Sequence, residues 1–247
     1  MSHALIALAC VVFIGFVIES AIGFGATLVT VTLGAMLMPI EILLPAFLPL
    51  NLVLSSYIAI RHRRHVLIRV LFRRVIPLMA IGLPVGMYLF QTLGSGSLVR
   101  IFGAFVVVLA AIELFRDLRA PSNQSPSRGS KVLDAALLVL GGVVHGMFAT
   151  GGPMVVYVLG RVIEDKSQFR ATLSTLWLVL NVVLQVTYIA SGRIDGESLG
   201  MTATLALPLA LGIVVGEKLH HAIPAALFRR AVFVLLLVAG IALTTRT

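Results

Sequence analysis

Long apolar runs follow one another along the chain, at residues 4–38, 42–60, 75–93, 98–115, 132–160, 171–191, 199–217 and 223–245, with polar residues confined to the gaps. Apolar runs of 18 or more residues cross a hydrocarbon layer of roughly 30 Å as helices, because a helix satisfies its own backbone groups where there is no water. The pattern predicts an all-α, polytopic transmembrane bundle forming a single membrane domain over 1–247. One polar stretch, containing Pro121-Ser122-Asn123-Gln124-Ser125-Pro126-Ser127, breaks it in the middle. It reads as a linker, 117–131, between a first repeat, 1–116, and a second, 132–247.

The two halves echo each other. Leu50-Asn51-Leu52-Val53-Leu54 matches Leu180-Asn181-Val182-Val183-Leu184, Gly82-Leu83-Pro84-Val85-Gly86 matches Gly212-Ile213-Val214-Val215-Gly216, and Arg100 falls opposite Arg230, all at an offset of 130 residues. The offset points to an internal duplication. Basic residues then set the orientation, since Lys and Arg concentrate in cytoplasmic loops. Arg61, Arg63, Arg64, Arg69, Arg73 and Arg74, with no acid among them, place that loop inside. If 132–160 leaves and returns on one side, Arg161, Lys166, Arg170, Lys218, Arg229 and Arg230 also lie inside, with only Arg193 and Arg246 outside. A single crossing reverses that bias. The expected fold is therefore two inverted repeats, each opening with a glycine-broken helical hairpin; the alternative is eight full spans in parallel repeats.

Length and breaks favour the hairpin. Residues 132–160 are too long for one span and too short for two, which need about 20 residues each. Gly23-Phe24-Gly25 interrupts the first leading run and Thr150-Gly151-Gly152-Pro153 the second, so each reads as two short helices meeting inside the membrane. Irregular backbone at that depth is tolerated only against protein or a watery cavity, and matched breaks in two repeats point to a binding site. A helix leaving such a turn offers free N–H groups and the positive end of its dipole to an anion. The other reading of membrane glycines is close helix packing, which suits Gly82, Gly86, Gly212 and Gly216.

Composition excludes a soluble fold. Hydrophobic residues make up 59% of the chain and charged residues 12%, against about 25% in soluble domains, and mean hydropathy is +1.07. The net charge of +9 lies in loops rather than along one face, so it is a topology signal and no nucleic-acid partner is expected. Cys10 is the single cysteine and forms no intramolecular disulfide. Met1-Ser2-His3-Ala4 has no Lys or Arg ahead of its apolar run, so a cleaved signal peptide is not expected.

Polar residues inside apolar runs are the candidate chemistry. Glu19 precedes the first break; a carboxyl beside an anion repels it unless it takes up a proton, which suits a proton-coupling or gating role, and the alternative is a hydrogen bond to the turn's N–H groups. His145 precedes the second break as a proton or hydrogen-bond donor, or as a merely satisfied core histidine. Asn51 and Asn181 occupy equivalent positions and either donate to oxyanion oxygens or join helices. Gly23, Phe24, Gly25, Thr150, Gly151 and Gly152 complete the candidate substrate site, with Ser20, Thr27, Ser55, Gln185 and Thr187 as further donors. Trp177 and Tyr188 suit membrane interfaces, although Trp177 falls well inside its run. Arg100, Arg229, Arg230, Glu113 and Glu217 lie near helix ends and read as snorkelling. No metal or cofactor is expected, since His62 with His65 and His220 with His221 have no supporting acids or cysteines.

The segment Glu19-Ser20-Ala21-Ile22-Gly23-Phe24-Gly25, with its apolar run ending at Pro39, and Gly142-Val143-Val144-His145-Gly146-Met147-Phe148-Ala149-Thr150-Gly151-Gly152-Pro153 carry a resemblance. With the duplicated layout and basic first-half loop, the chain resembles the sulfite exporter TauE/SafE family over essentially its full length. The resemblance implies a cell-membrane permease for a small oxyanion or organosulfonate. The residues alone imply an anion-friendly site at the midplane, worked by alternating access. An enzyme is not expected, because no HExxH or GxSxG pattern is present. A non-transporting scaffold and a transporter of an unrelated solute stay open, as does a homodimer.

Overall fold

The computed structural model describes residues 3–119, 130–222 and 225–245, less the side chains of 113, 116–119, 221, 222, 225–232 and 235. Among these the chain is helical, with no strand. The helices are α1 (His3–Ile22), α2 (Ala26–Gly34), α3 (Ile40–Arg61), α4 (Ile68–Val70), α5 (Ile76–Thr92), α6 (Ser95–Arg119), α7 (Lys131–Phe148), α8 (Gly152–Leu159), α9 (Lys166–Ala190), α10 (Gly196–Ala222) and α11 (Ala225–Thr245). A π turn over Leu71–Val75 joins α4 to α5, making one rod from Ile68 to Thr92. Seven helices among the described residues are long and apolar enough to cross a bilayer, which makes this an integral membrane protein with several spans. Their outward side chains agree: Ile81, Tyr88, Leu207 and Val238 are each more than 60% exposed, which only a lipid environment makes inexpensive.

The helices outrun the apolar stretches. The rod begins at Ile68 rather than 75 and α9 at Lys166 rather than 171, because Arg and Lys at helix ends reach the headgroups with long stems. The expected linker is shortened at both ends, since α6 continues to Arg119 and α7 begins at Lys131. Residues 120–129, and the side chains of Glu113, His221, Arg229 and Arg230, lie outside those described.

Each leading run is a hairpin. A Cβ built on Gly15 would meet Ala26 and Thr30, and one on Gly34 would meet Leu8, so α2 runs back along α1. Gly141 likewise faces Gly151 and Met154 across α7 and α8. The expectation of two short arms is corrected in the first arm: α1 has 20 residues and α7 has 18, enough to span, whereas α2 has 9 and α8 has 8, about 12–14 Å.

Small residues set how the bundle closes. Helix α7 packs on α5 so closely that a Cβ on Gly82 or Gly86 would stand 2.0 Å from the carbonyl oxygen of Val139 or Val143. Gly142 and Gly146 approach α5 in return: a Cβ on them would stand 2.1 Å from Met79 O and 2.3 Å from Leu83 O. Gly212 and Gly216 of α10 meet Phe16 and Ser20 of α1 in the same way. The repeated GxxxG spacing is thus a packing device. Helices α3 and α9 pack together at the centre, α6 packs on α11, and Thr202 of α10 donates to Ala46 O at 2.7 Å within the Pro45–Pro49 stretch of α3.

Ion pairs tie the basic ends together. Asp134 at the start of α7 pairs with Arg74, at 2.8 Å, and with Arg161. Arg170 of α9, 3% exposed, pairs with Glu217 of α10, so Glu217 is not the snorkelling residue expected from its place near a helix end. Between α9 and α10, Asp195 accepts from Ser198 N, a contact that holds its carboxyl below the usual range.

Candidate functional site

The first hairpin tip is shaped by glycine. Gly23 and Gly25 take φ of +98° and +116°, values that L side chains rarely adopt, and the Cα of Arg170 stands 3.0 Å from where a Gly23 Cβ would be. The turn exposes the start of α2, and Glu19 reaches across it: its Oε2 accepts from Ala26 N at 2.8 Å. At the second tip Ala149 takes φ 52° in the position that follows α7, a strained choice for a residue with a Cβ. His145, one turn earlier, accepts from Gly151 N through Nδ1 at 3.3 Å. An imidazole accepting at Nδ1 is neutral with its proton on Nε2, so the ring braces the tip on one side and pairs with Asn181 on the other.

Between the tips lies a polar cavity of about 20 Å³, bounded by Glu19, Phe24, Gly25, Thr27, Asn51, Ala149, Thr150, Gly152, Trp177 and Asn181. It has room for roughly one water. Of the candidate residues, Glu19, Phe24, Gly25, Asn51, Thr150, Gly152 and Asn181 come together here; Gly23, Gly151 and His145 stand behind the wall. Thr27, named only as an auxiliary donor, is part of it. Trp177 lies inside the bundle rather than at an interface, donates from Nε1 to Gly23 O at 3.0 Å, and stacks on His145 at 5.5 Å between ring centroids. A tryptophan in mid-span, whose N–H must find a partner, was the available signal for it. Nothing in the sequence marks Ala149.

The two asparagines meet. Asn181 Nδ2 donates to Asn51 Oδ1 at 2.8 Å, across the 130-residue separation of the two halves. Asn51 Oδ1 also accepts from Ser55 Oγ, at 3.2 Å, while its Nδ2 donates to Glu19 Oε1 and Thr27 Oγ1, at 3.2 and 3.3 Å. A side-chain amide has two N–H groups and one oxygen with two lone pairs, so Asn51 is saturated. It orients Glu19 and Asn181 and has nothing left for a ligand. Asn181 is different: besides its contact with Asn51, its side chain pairs with the ring of His145. Thr150 lines the cavity, and no side chain caps α8. The start of α2, by contrast, is filled by the carboxylate of Glu19.

No group of three or more His, Cys, Asp or Glu that could hold a metal is found among the described residues. What the arrangement offers is a small pocket with hydroxyl and amide groups, helix N-termini on two sides, and one carboxylate.

Comparison with known proteins agrees with this architecture. Residues 7–243 match the family described as "Sulfite exporter TauE/SafE". The chain is 29% identical over 171 residues to the "Probable inner membrane transporter protein TsaS" of Comamonas testosteroni, covering 69% of this chain and 70% of that one. No solved structure matches significantly. With a multi-span helical bundle, two broken hairpins and a match over nearly its whole length, the chain belongs to the sulfite exporter TauE/SafE family of membrane transporters.

Proposed function

We propose that this protein is a secondary transporter that exports a small sulfur-bearing anion, such as sulfite, another sulfur oxyanion or an organosulfonate, across the inner membrane. The observation that carries this reading is the polar cavity between the two hairpin tips, where irregular backbone, helix N-termini and hydroxyl groups converge inside an apolar bundle. The family description supports the substrate class and the direction, and the printed name of the relative supports the location.

Transport works by alternating access. The pocket holds roughly one water in this conformation, so an oxyanion enters only when the tips separate. Two inverted repeats supply the moving parts, a reading supported by the packing: α1 on α10 and α7 on α5 exchange when the halves are exchanged, while α3–α9 and α6–α11 map onto themselves. Glu19 is the proton-coupling group. Its carboxylate occupies the N-terminus of α2, and neutralising it removes the repulsion that an arriving anion meets.

Purified protein in sealed proteoliposomes is expected to move sulfite, thiosulfate or a sulfonate down its gradient and to respond to an imposed pH gradient. Glu19→Gln is expected to keep flux measurable and to abolish its pH dependence. Intact protein that moves no anion sinks the transport reading, and an unchanged pH profile in Glu19→Gln removes the coupling role alone.

A further inference from the structure

Granted the anion-transport reading above, a route to the cavity is marked on α9. Arg170, Ser174, Trp177 and Asn181 recur at helical spacing, so they share one face. All are buried, and Trp177 and Asn181 line the cavity, so the stripe runs about 16 Å from the start of α9 to the site. At its start Arg170 packs against Gly23 of the first tip and donates from Nη2 to Glu217. Its Nε is buried without a hydrogen-bond partner, and so is the hydroxyl of Ser174 one turn along. Unpartnered donors buried on the approach to an anion site are costly unless a ligand uses them.

The first half has no such stripe. At the offset of 130 residues the matching positions of α3 are Ile40, Leu44, Phe47 and Asn51, the first three fully buried, and Met87 matches Glu217. The polar track is therefore built on one side only. Leu67 N, just past Arg61, Arg63 and Arg64, donates to Thr172 Oγ1 at 3.0 Å, which sets the start of the stripe at the arginine-rich, cytoplasmic face. We propose that Arg170 is the anion-recognition residue of the cytoplasmic entrance, and that the Glu217 carboxylate holds its place until a sulfite or sulfonate displaces it. The guanidinium suits this exchange, because its forked N–H groups match a ligand that presents two oxygens. Ser174 offers the next donor on the way to the cavity.

Isothermal titration of sulfite and of methanesulfonate into the purified protein in lipid nanodiscs tests the assignment. Glu217→Gln removes the internal competitor and is expected to tighten both anions about tenfold, the worth of one charge-assisted hydrogen bond. Arg170→Gln combined with Glu217→Gln leaves neither charge unpaired and is expected to lose that gain, whereas Arg170→Lys combined with Glu217→Gln keeps part of it. Asp134→Asn removes an acid from the other set of ion pairs and is expected to bind both anions as the unsubstituted protein does. A pair that only joins helices predicts a lower unfolding temperature for Glu217→Gln with unchanged affinity; that result overturns the proposal and leaves anion transport standing. An equal gain in Asp134→Asn overturns it too, since net charge would then be the cause. Binding of neither anion to any folded variant overturns both readings.

Discussion

Gly86→Ala is expected to lower the stability of the folded protein by about 2–3 kcal/mol and to abolish flux. The added methyl would stand 2.0 Å from the carbonyl oxygen of Val143 and 2.9 Å from the backbone of Gly146 and Met147. A side chain could rotate away from such a contact, but main-chain atoms of a helix cannot, so α5 and α7 must separate. Helix α7 carries His145 and leads into the second tip, which makes the displacement felt at the cavity. Gly200→Ala supplies the contrast. Gly200 is exposed on α10 with nothing within 4 Å of its added carbon, and the substitution is expected to be neutral or to stabilise by up to about 1 kcal/mol through helix propensity. Thermal unfolding midpoints in one detergent compare them, and equal shifts would remove the close-packing explanation.

Asn51→Leu is expected to reduce flux about a hundredfold, since displacements of about 1 Å in a positioned site have effects of that size. Leucine keeps the volume and apolar fit but strands four groups at once: Glu19 and Thr27 lose their side-chain donor, and Ser55 and Asn181 lose their acceptor. Each orphaned buried group costs about 1–3 kcal/mol, so stability also falls. Ser55→Ala takes away one donor and leaves the Asn181 contact in place; it is expected to be mild. Flux in proteoliposomes, normalised to folded protein, separates the two variants. An Asn51→Leu protein with normal flux would show that the paired amides only join helices.

Much of the architecture was legible because the signals are local. The spans follow from hydropathy, and a backbone that must bond to itself in lipid leaves helix as the outcome. The tips were legible because Gly23-Phe24-Gly25 and Thr150-Gly151-Gly152 interrupt runs that would otherwise continue. Glu19, Asn51 and Asn181 stood out because a polar side chain in an apolar run needs a partner, whatever that partner is. Arg170 gave no such signal. It sits near a helix start like any snorkelling arginine, yet it is buried against Gly23 and paired with Glu217, 47 residues away.

From the sequence alone came an all-helical membrane bundle, the positions of its two breaks, and the polar residues that needed partners inside it; each depends on residues close together along the chain. Tertiary structure alone decided how those partners were allotted. Asn51 and Asn181 occupy equivalent places in the two halves, but Ser55, Thr27 and Glu19 converge on Asn51 and saturate it, while Asn181 pairs with Asn51 and with the ring of His145. His145 turns to brace a backbone N–H instead of lining the pocket, and Trp177 takes the wall in its place. Hydrogen-bond capacity is finite and is filled by whichever groups packing brings within about 3 Å, a distance that no spacing along the chain encodes.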